Sequence, residues 1–353
     1  MQKIVFTQYT PQYKDSLLSL LSLKWDGLST AEIKEKFEWR YEHNPHNSNK
    51  PCIYVACKDN QVIGFRAFVV QHFSFNGVLY KVYNPADAIV HPNYRRMGIF
   101  AKLNDTFLND LQGEEKSLIF NTSSNQYSSP GNLKQNWQAI HYVNRYGYKF
   151  SLNLRFGNLP SLQHKNELIN SVNNLYKRDG VVSSQTLLHK ELSSLNFALR
   201  KQLPNQLIHI RDEKFYLWRY ALNKKDYYFV YYYYEQQLDG YLILRKISNR
   251  KMIIEEYFAQ SNSILKCMVR KVLKANNLLM IRMHIFSEKE ALLLRRIGFV
   301  IEPVKLMNKL GKIRLPFLVR PAILHPKDSD FLLHNKFDIR DPNLWIFDQS
   351  VIH

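Results

Sequence analysis

The segment AIVHPNYRRMGIF, at residues 88–100, decides how this chain folds. It opens with an apolar run that is typical of a strand, and the apolar residues after it have helical spacing. A strand, a short turn and a helix start point several backbone N–H groups at one spot, which suits a pyrophosphate. Arg95 and Arg96 add positive charge there, and Gly98 lets phosphate oxygens approach the main chain.

The elements predicted around this segment indicate an α/β (α+β) fold. Apolar periodicity predicts the order β-α-α-β-β-β-β-α-β-loop-β between residues 4 and 156. The strands are predicted at 4–6, 52–57, 61–71, 78–83, 86–90, 117–121 and 146–156, and the helices at 11–23, 31–41 and after residue 100. Short turns between neighbouring strands favour a mixed, mostly antiparallel sheet that is flanked by helices.

The basic turn resembles the acyl-coenzyme A motif of the GNAT superfamily of N-acetyltransferases, which reads V-x-P-x-x-[QR]-x-x-G-x-[GA]. Val90, Pro92, Arg95 and Gly98 match this pattern. Phe100 stands where the family has Gly or Ala, so either the helix start is re-set or the aromatic side chain is tucked beneath it. The resemblance implies that acetyl-coenzyme A is a co-substrate.

The same resemblance implies a set of residues that bind the coenzyme. These are Ile89, Val90, Arg95, Arg96, Met97, Gly98, Ile99, Phe100, Asn121 and Asn125. The backbone N–H of Ile89 or Val90 corresponds to the family's oxyanion donor. The two asparagines lie where the family's pantetheine arm passes a strand end.

Acyl transfer to an amine needs a proton acceptor, an oxyanion donor and help for the leaving thiolate. Asp87 is the candidate base, and the alternative is a carboxylate that only hydrogen-bonds a turn after Pro85. The family's acid is a tyrosine, and its position falls on Asn132 or on Val143, depending on the alignment. Tyr127 is therefore the candidate acid, and the alternative is a packed loop aromatic.

A repeat predicts a second domain. The sequence Trp-Arg-Tyr occurs at 39–41 and again at 218–220, and a hairpin that contains a glycine follows each copy. Between Tyr257 and Ile264 there is no Pro, Arg or Gly, so the second copy is expected to lack the phosphate turn. We predict an acetyltransferase domain with the coenzyme site at 1–158, a helical connector at 159–205 and a second acetyltransferase-like domain at 206–353.

The composition limits the partners that we expect. Lysine and arginine number 49 against 30 acidic residues, which gives a net charge of +19 and favours anionic partners. An AT-rich genome would also produce part of this basicity. Three cysteines without disulfide or metal spacing predict reduced thiols in a cytoplasmic protein and no metal. No stretch approaches the ~20 apolar residues of a membrane span.

Two hypotheses of function follow from these features. The first is an N-acetyltransferase that moves an acetyl group from acetyl-coenzyme A to a small amine acceptor, anionic or sugar-like. A resemblance to long acetyltransferases of bacterial surface-polysaccharide synthesis suggests an amino sugar or a nucleotide-linked amino sugar. The second half could also form a homodimer interface. The alternative is a non-catalytic module that binds nucleic acid or another anionic partner, and nucleic acid is the less favoured partner.

Overall fold

The computed structural model describes residues 3–122, 128–140, 145–151, 180–221, 226–275, 278–303 and 317–346. Its strands are, in chain order, β1 (Val5–Gln8), β2 (Ile53–Lys58), β3 (Gln61–Phe75), β4 (Val78–Val90), β5 (Ser117–Asn121), β6 (Gln138–Ala139), β7 (Arg145–Phe150), β8 (Gly180–Ser184), β9 (Leu207–His209), β10 (Tyr227–Tyr234), β11 (Gln237–Ser248), β12 (Lys251–Ala259), β13 (Met280–Ile285), β14 (Val300–Ile301), β15 (Leu318–Pro321), β16 (Leu332–Leu333), β17 (Phe337–Asp338) and β18 (Trp345–Ile346). Its α-helices are α1 (Lys14–Ser22), α2 (Thr30–Phe37), α3 (Ile99–Asp110), α4 (Ser129–Lys134), α5 (His189–Gln202), α6 (Glu213–Tyr220), α7 (Asn262–Ala275) and α8 (Glu288–Arg296).

The strands form two large sheets, each mixed and mostly antiparallel, as the sequence predicts. The first has the order β1-β2-β3-β4-β5-β15-β6, with β9 paired to β3 and β18 paired to β9. The second has the order β14-β7-β13-β12-β11-β10-β8. The strands β4 and β5 are parallel in the first sheet, as are β12 and β13 in the second. The predicted α/β fold class is confirmed.

Local sequence explains the ends of several elements. The Ser29 hydroxyl accepts the N–H of Glu32, whose carboxylate accepts the N–H of Ser29, and this capping box starts α2. Asn76 and Gly77 join β3 to β4 with positive φ values of 50° and 75°, which two-residue hairpin turns require. These contacts lie within a few residues of chain, so the sequence alone predicts them.

The two halves of the chain exchange strands. The strand β7 lies between β14 and β13 of the second sheet, where Tyr148 is opposite Arg282 and Val300. The strand β15 lies between β5 and β6 of the first sheet, where Leu318 is opposite Asn121. The strand expected at 146–156, of which residues 152–156 lie outside the described residues, therefore belongs to the other sheet. The alternation of apolar residues within this strand does not specify which distant strands it pairs with, so the sequence alone could not assign it to a sheet.

Of the segment predicted as a helical connector, residues 159–179 lie outside the described residues, and the rest is helical only in part. The strand β8 pairs with β10, with Val182 opposite Tyr231, and so forms an edge of the second sheet. The helix α5 follows it. The domain boundaries at 158 and 206 stay predictions.

A layer of helices lies between the two sheets. One apolar core joins α1, α2 and β3 to α6, β10 and β11, and it buries Phe37 and Phe65 together with Phe215. The helix α3 covers the other face of the first sheet, where Leu103 belongs to a separate core. The helix α7 covers the outer face of the second sheet, with Met268 in its core.

A reciprocal contact between two indoles joins the repeated segments. The rings of Trp39 and Trp218 stack with their centroids 5.7 Å apart. The Nε1 of Trp39 donates to the carbonyl of Trp218 at 2.9 Å, and the Nε1 of Trp218 donates to the carbonyl of Trp39 at 2.6 Å. Because each indole makes the same contact to the other, the two copies are related here by an approximate two-fold rotation.

Each sheet also contains a glycine that admits a helix at short distance. A Cβ atom on Gly64 would lie 2.7 Å from Cγ2 of Ile99 in α3, and one on Gly240 would lie 2.9 Å from Cγ2 of Ile264 in α7. In the strand ladders Gly64 is opposite Val90, and Gly240 is opposite Ala259. The two glycines are therefore equivalent positions of the repeat.

This equivalence shows what the second copy lacks. Ile99 follows Val90 by nine positions, whereas Ile264 follows Ala259 by only five. The link between strand and helix is thus four residues shorter in the second copy. A link of that length has no room for the turn that contains Gly98.

We expect a double-mutant cycle to detect the indole contact. Trp39→Ala and Trp218→Ala should each destabilise the protein, and the double variant should lose less than the sum, by about 1–3 kcal/mol, because both remove the same contact. Urea denaturation measures this coupling. As a control, Trp39→Ala combined with Leu292→Ala, at a half-exposed position on α8, should be additive. Additivity of the two tryptophan substitutions would contradict the coupling.

Candidate coenzyme and acceptor site

The link between β4 and α3 presents free main-chain N–H groups. Gly98 caps α3 with a φ of 72°, and the helix begins at Ile99. The N–H of Lys102 donates to the carbonyl of Gly98 at 3.1 Å. The N–H groups of the residues just before Lys102 therefore have no acceptor within the helix, and the helix dipole adds a partial positive charge to them. Such a turn has the geometry that binds anions in other proteins.

The side chains of the turn leave these N–H groups accessible. Arg95, Arg96, Met97 and Gly98 are all exposed, whereas Ile99 is buried beneath the helix. Arg96 has a φ of 63°, which is uncommon for a residue with a side chain. The two guanidinium groups thus stand beside the free main-chain donors, where a diphosphate would meet both.

The strands β4 and β5 separate before β4 ends. Parallel pairing runs from Lys81 with Ser117 to Tyr83 with Ile119. Beyond Tyr83, β4 continues to Val90, and among the described residues only β3 pairs with it there. The separation leaves a gap along the free edge of β4, next to the anion-binding turn.

The N–H of Val90 faces this gap. The N–H of His91 donates to the carbonyl of Ile63 at 2.8 Å, and Gly64 is opposite Val90. Because hydrogen-bonded pairs alternate along an antiparallel ladder, the N–H groups of Ile89 and His91 point to β3, and that of Val90 points to the other edge. Between the two predicted oxyanion donors, this geometry favours Val90.

Polar side chains lie where the gap begins. Asn121 ends β5 and is buried. Nearby, Asn84 of β4 donates to Oγ1 of Thr122 at 3.1 Å, which bridges the two strands at the closed end of the gap. Asn125 and the candidate acid Tyr127 lie outside the described residues, so their roles stay predictions.

Phe100 is tucked between α3 and α4. The guanidinium carbon of Arg66 lies 5.1 Å from the centre of its ring. On the other side, a Cβ atom on Gly131 would lie 3.5 Å from the ring. The helix starts directly after Gly98, so the unusual aromatic residue fills the space between helices and does not re-set the helix start.

Asp87 lies on a bulge of β4 and is only 5% exposed. Its carboxylate is held by Lys24 at 2.6 Å, by Arg40 at 3.0 Å and by the Tyr41 hydroxyl at 2.5 Å. Burial raises the pKa of Asp87, but Arg40 and Lys24 outweigh it and bring the pKa to about 2. Such a carboxylate is ionised at neutral pH and has little tendency to take up a proton.

The second half contains a carboxylate at the same place. Glu256 lies three positions before Ala259, which is opposite Gly240. In the same way, Asp87 lies three positions before Val90, which is opposite Gly64. The Tyr220 hydroxyl donates to Glu256 at 3.1 Å, and Tyr41, its equivalent in the first copy, donates to Asp87. Arg211 also pairs with Glu256 at 2.8 Å. Because this carboxylate also occurs in the half that lacks the phosphate turn, its presence is explained by anchoring the Trp-Arg-Tyr segment.

The carboxylate of Asp87 faces more positive charge than it can neutralise. Lys24 and Arg40 bind it directly, and burial together with these two cations lowers the pKa of nearby Lys36. Lys24 also reaches the carbonyl of Ala88 at 3.4 Å, at the edge of the gap. This side of the gap therefore carries surplus positive charge that would attract an anionic group.

Comparisons with known proteins agree with this geometry. Residues 7–149 match the model of the acetyltransferase (GNAT) domain. Over these residues the chain is similar to a GNAT acetyltransferase domain. Its match ends within β7, the strand that this half of the chain contributes to the second sheet. Comparison with curated protein sequences gives no match.

Solved structures share the GNAT fold over most of the chain. A protein from Enterococcus faecalis V583, described as a probable N-acyltransferase, is 14% identical with a TM-score of 0.65, covering 94% of this chain and 74% of its own. A tandem GNAT protein from the clavulanic acid biosynthesis pathway is 11% identical with a TM-score of 0.51, covering 92% and 100%. The N-myristoyltransferase of Saccharomyces cerevisiae with bound myristoyl-CoA is 11% identical with a TM-score of 0.52, covering 90% and 79%. At these identities the likeness shows the fold alone.

Two other kinds of site were sought in the part of the chain that the structure describes. There, no group of three or more His, Cys, Asp or Glu side chains is placed to hold a metal ion. None of the helices described has both the length and the apolar character of a membrane span.

Sequence reasoning missed Arg66 and Lys24. Arg66 interrupts the run from Gly64 to Val70, which is otherwise apolar, and a charged residue in a buried strand could have pointed to the site. Lys24 follows an ordinary amphipathic helix, and only the fold brings it to Asp87. Nothing in the sequence around Lys24 stands out as the charged Arg66 does in its apolar strand.

We expect Gly64→Ala to impair coenzyme binding because the added methyl group must displace the first turn of α3. The affinity for coenzyme A should fall roughly 10–100-fold, measured by calorimetry. The matched control is Gly240→Ala, which crowds α7 at a similar distance but lies far from the turn. Both variants should lose about 1–3 kcal/mol of stability from overpacking. Unchanged affinity in Gly64→Ala would contradict the placement of the coenzyme at α3.

Proposed function

We propose that this protein is an N-acyltransferase that moves an acetyl group from acetyl-coenzyme A to the amine of a small acceptor. The observation that carries the proposal is the exposed anion-binding turn at Gly98, placed beside the gap between β4 and β5. The GNAT domain match supports acyl transfer in general. The acetyl group and the acceptor are the parts that are proposed.

The residues of the site fit an acyl-coenzyme A. When bound, this co-substrate supplies the thioester carbonyl that the amine attacks and the thiolate that leaves. The free N–H groups at the start of α3, together with Arg95 and Arg96, would hold the diphosphate. The N–H of Val90 would stabilise the oxyanion. Asn121 would hydrogen-bond an amide of the pantetheine arm.

Proton removal from the ammonium group of the acceptor has two candidate routes, Asp87 and a chain of water molecules. The low pKa of Asp87 and its three partners favour water as the acceptor. Asp87 then acts as an anchor that holds Lys24 and Arg40 beside the gap. In this scheme none of the three groups that bind Asp87 has to lose a proton.

The surplus positive charge beside the gap supports an acceptor that carries an acidic group. Lys24 and Arg40 would bind a carboxylate or phosphate on the acceptor while its amine approaches the thioester. An amino sugar, free or linked to a nucleotide, is one such acceptor. Amines without an acidic group would lack this interaction.

A coenzyme A release assay tests the reaction. We expect thiol release with acetyl-coenzyme A and an anionic amine, and slower release with a neutral amine of the same size. Thioesters of longer acyl chains, up to myristoyl, measure the preference for acetyl. Arg95→Ala should raise the KM for the thioester, and Arg282→Ala in the second sheet is the matched control. Absence of any thermal shift with coenzyme A would favour the non-catalytic alternative.

We expect Asp87→Asn to lower stability more than it changes the pH profile of the reaction. The folded-state pKa of about 2 lies below the ordinary value near 3.9, so Asp87 stabilises the protein at neutral pH by about 2–3 kcal/mol. This contribution is lost as the pH falls from about 4 towards 2. Urea denaturation of Asp87→Asn and of the wild type at pH 7, 4 and 3 measures it.

The pH–rate profile of Asp87→Asn separates the two routes for the proton. If water accepts the proton, the variant retains a basic limb with the same apparent pKa as the wild type. Loss of that limb in Asp87→Asn, at a temperature where the variant is folded, would assign the base to Asp87.

A further inference from the structure

Arg66 is a buried cation on the coenzyme side of the first sheet. It lies on β3 opposite Ala88, and only 4% of the residue is exposed. Its guanidinium carbon lies 5.0 Å from the centre of the Phe68 ring and 5.1 Å from that of Phe100. The residue is thus enclosed between the first sheet and α3, on the strand next to the one that borders the gap.

The hydrogen bonds of Arg66 leave part of it unsatisfied. Its Nε donates to Oδ1 of Asn104 at 3.0 Å, and Nη2 is buried without a partner. Among the described residues no acidic side chain forms an ion pair with it. The Asp87 carboxylate, whose charge also acts on Arg66, is held by three other donors. Burial lowers the pKa of Arg66 to about 10, which leaves the guanidinium protonated at neutral pH.

A buried cation without an anion is costly, and proteins rarely keep one. Replacement by an apolar residue would remove that cost. The arrangement is explained if an anion reaches Arg66 when the protein works. The anion must be small, because Phe68, Phe100 and Asn104 already surround the guanidinium.

The neighbouring helix α4 adds unpaired polar atoms to the same region. Asn132 is fully buried, and both atoms of its side-chain amide lack a partner. The hydroxyl of Ser129, one turn earlier, is also buried and unpaired. Contacts between Gln135 and Asn104 place α4 directly against α3. Asn132 is, in addition, one of the two positions where a tyrosine acid was sought.

We propose that the Arg66 guanidinium, assisted by the Asn132 amide, binds the thiolate that leaves in the acyl transfer. The inference rests on the proposed function. In the step, the amine nitrogen forms a bond to the thioester carbon, and the carbon–sulfur bond breaks with its electron pair kept by sulfur. The amine proton passes to water, and the thiolate later takes a proton from water. Positive charge at Arg66 lowers the energy of the thiolate, so the thiolate can leave without the tyrosine that the family has at the position of Asn132 or Val143.

The position of Arg66 favours the thiolate over the diphosphate. The diphosphate donors are the exposed groups around Gly98, at the outer end of the gap. Arg66 is buried, and along β3 it lies two positions beyond Gly64, which faces the start of α3. A ligand that enters at the turn and extends along β4 brings its far end towards Arg66, and that end is the sulfur.

The thiol of bound coenzyme A tests this role without turnover. An ordinary thiol has a pKa of about 8.5, and ultraviolet absorbance of the thiolate follows its ionisation. We expect the thiol bound to the wild type to titrate about one pKa unit lower or more, and the thiol bound to Arg66→Met to titrate at the ordinary value or above. Arg66→Lys should restore part of the shift. The matched control is Arg282→Met, which removes one arginine from the second sheet.

Steady-state rates give a second readout. Arg66→Met should lower kcat about 10²-fold with a smaller change in KM, because the guanidinium acts on charge that develops in the reaction. Its stability should equal or exceed that of the wild type. Asn132→Leu should show a smaller decrease in kcat and supplies the comparison if Arg66→Met does not fold.

The outcomes separate this inference from the proposed function. If the wild type does not bind coenzyme A, both are overturned. If coenzyme A binds and its thiol has the same pKa in the wild type, Arg66→Met and Arg66→Lys, only the role of Arg66 is overturned.

Discussion

The missing side chain at Gly64 sets how closely α3 lies on the first sheet. A single Cβ atom there would meet Ile99 at 2.7 Å, a separation that packed carbon atoms do not tolerate. Because α3 rests on bare backbone, its first turn reaches the end of β4, and the free N–H groups lie beside the gap between β4 and β5. The turn, its free N–H groups and the enclosed Arg66 all depend on this close approach.

The two halves of the protein share this close packing of a helix on a sheet but differ in the link that precedes the helix. Gly240 and α7 repeat the close approach, and Glu256 repeats the anchoring of a Trp-Arg-Tyr tyrosine by a buried carboxylate. The link before α7 is four residues shorter, so the second half keeps the packing without the phosphate turn. What recurs in both halves is explained by architecture, and what occurs only in the first half is where coenzyme chemistry is to be sought. By this criterion the hydrogen bonds of Asp87 belong to the architecture, whereas the link that replaces the turn of Arg96 in the second copy contains no arginine.

The parts of the fold that depend on nearby residues could be predicted from the sequence. The turn at Gly98, the cap at Ser29 and the hairpin at Asn76 are each defined within about five residues, and they adjoin helices and strands that the sequence predicts. The sheet to which β7 belongs could not be predicted, because its neighbours are about 130 residues or more away along the chain. The same holds for the site: Arg95 and Gly98 follow from a motif, whereas the meeting of Lys24, Arg40 and Asp87 depends on tertiary packing.

The exchange of β7 and β15 has a consequence for synthesis on the ribosome. The first sheet needs residues 318–321 between β5 and β6, so it stays incomplete until the nascent chain has emerged as far as residue 321. Until then β5 exposes an unpaired edge that invites pairing with other chains. A first half produced alone therefore lacks β15, and a second half produced alone lacks β7. The two halves are expected to fold as one cooperative unit and not as two independent domains.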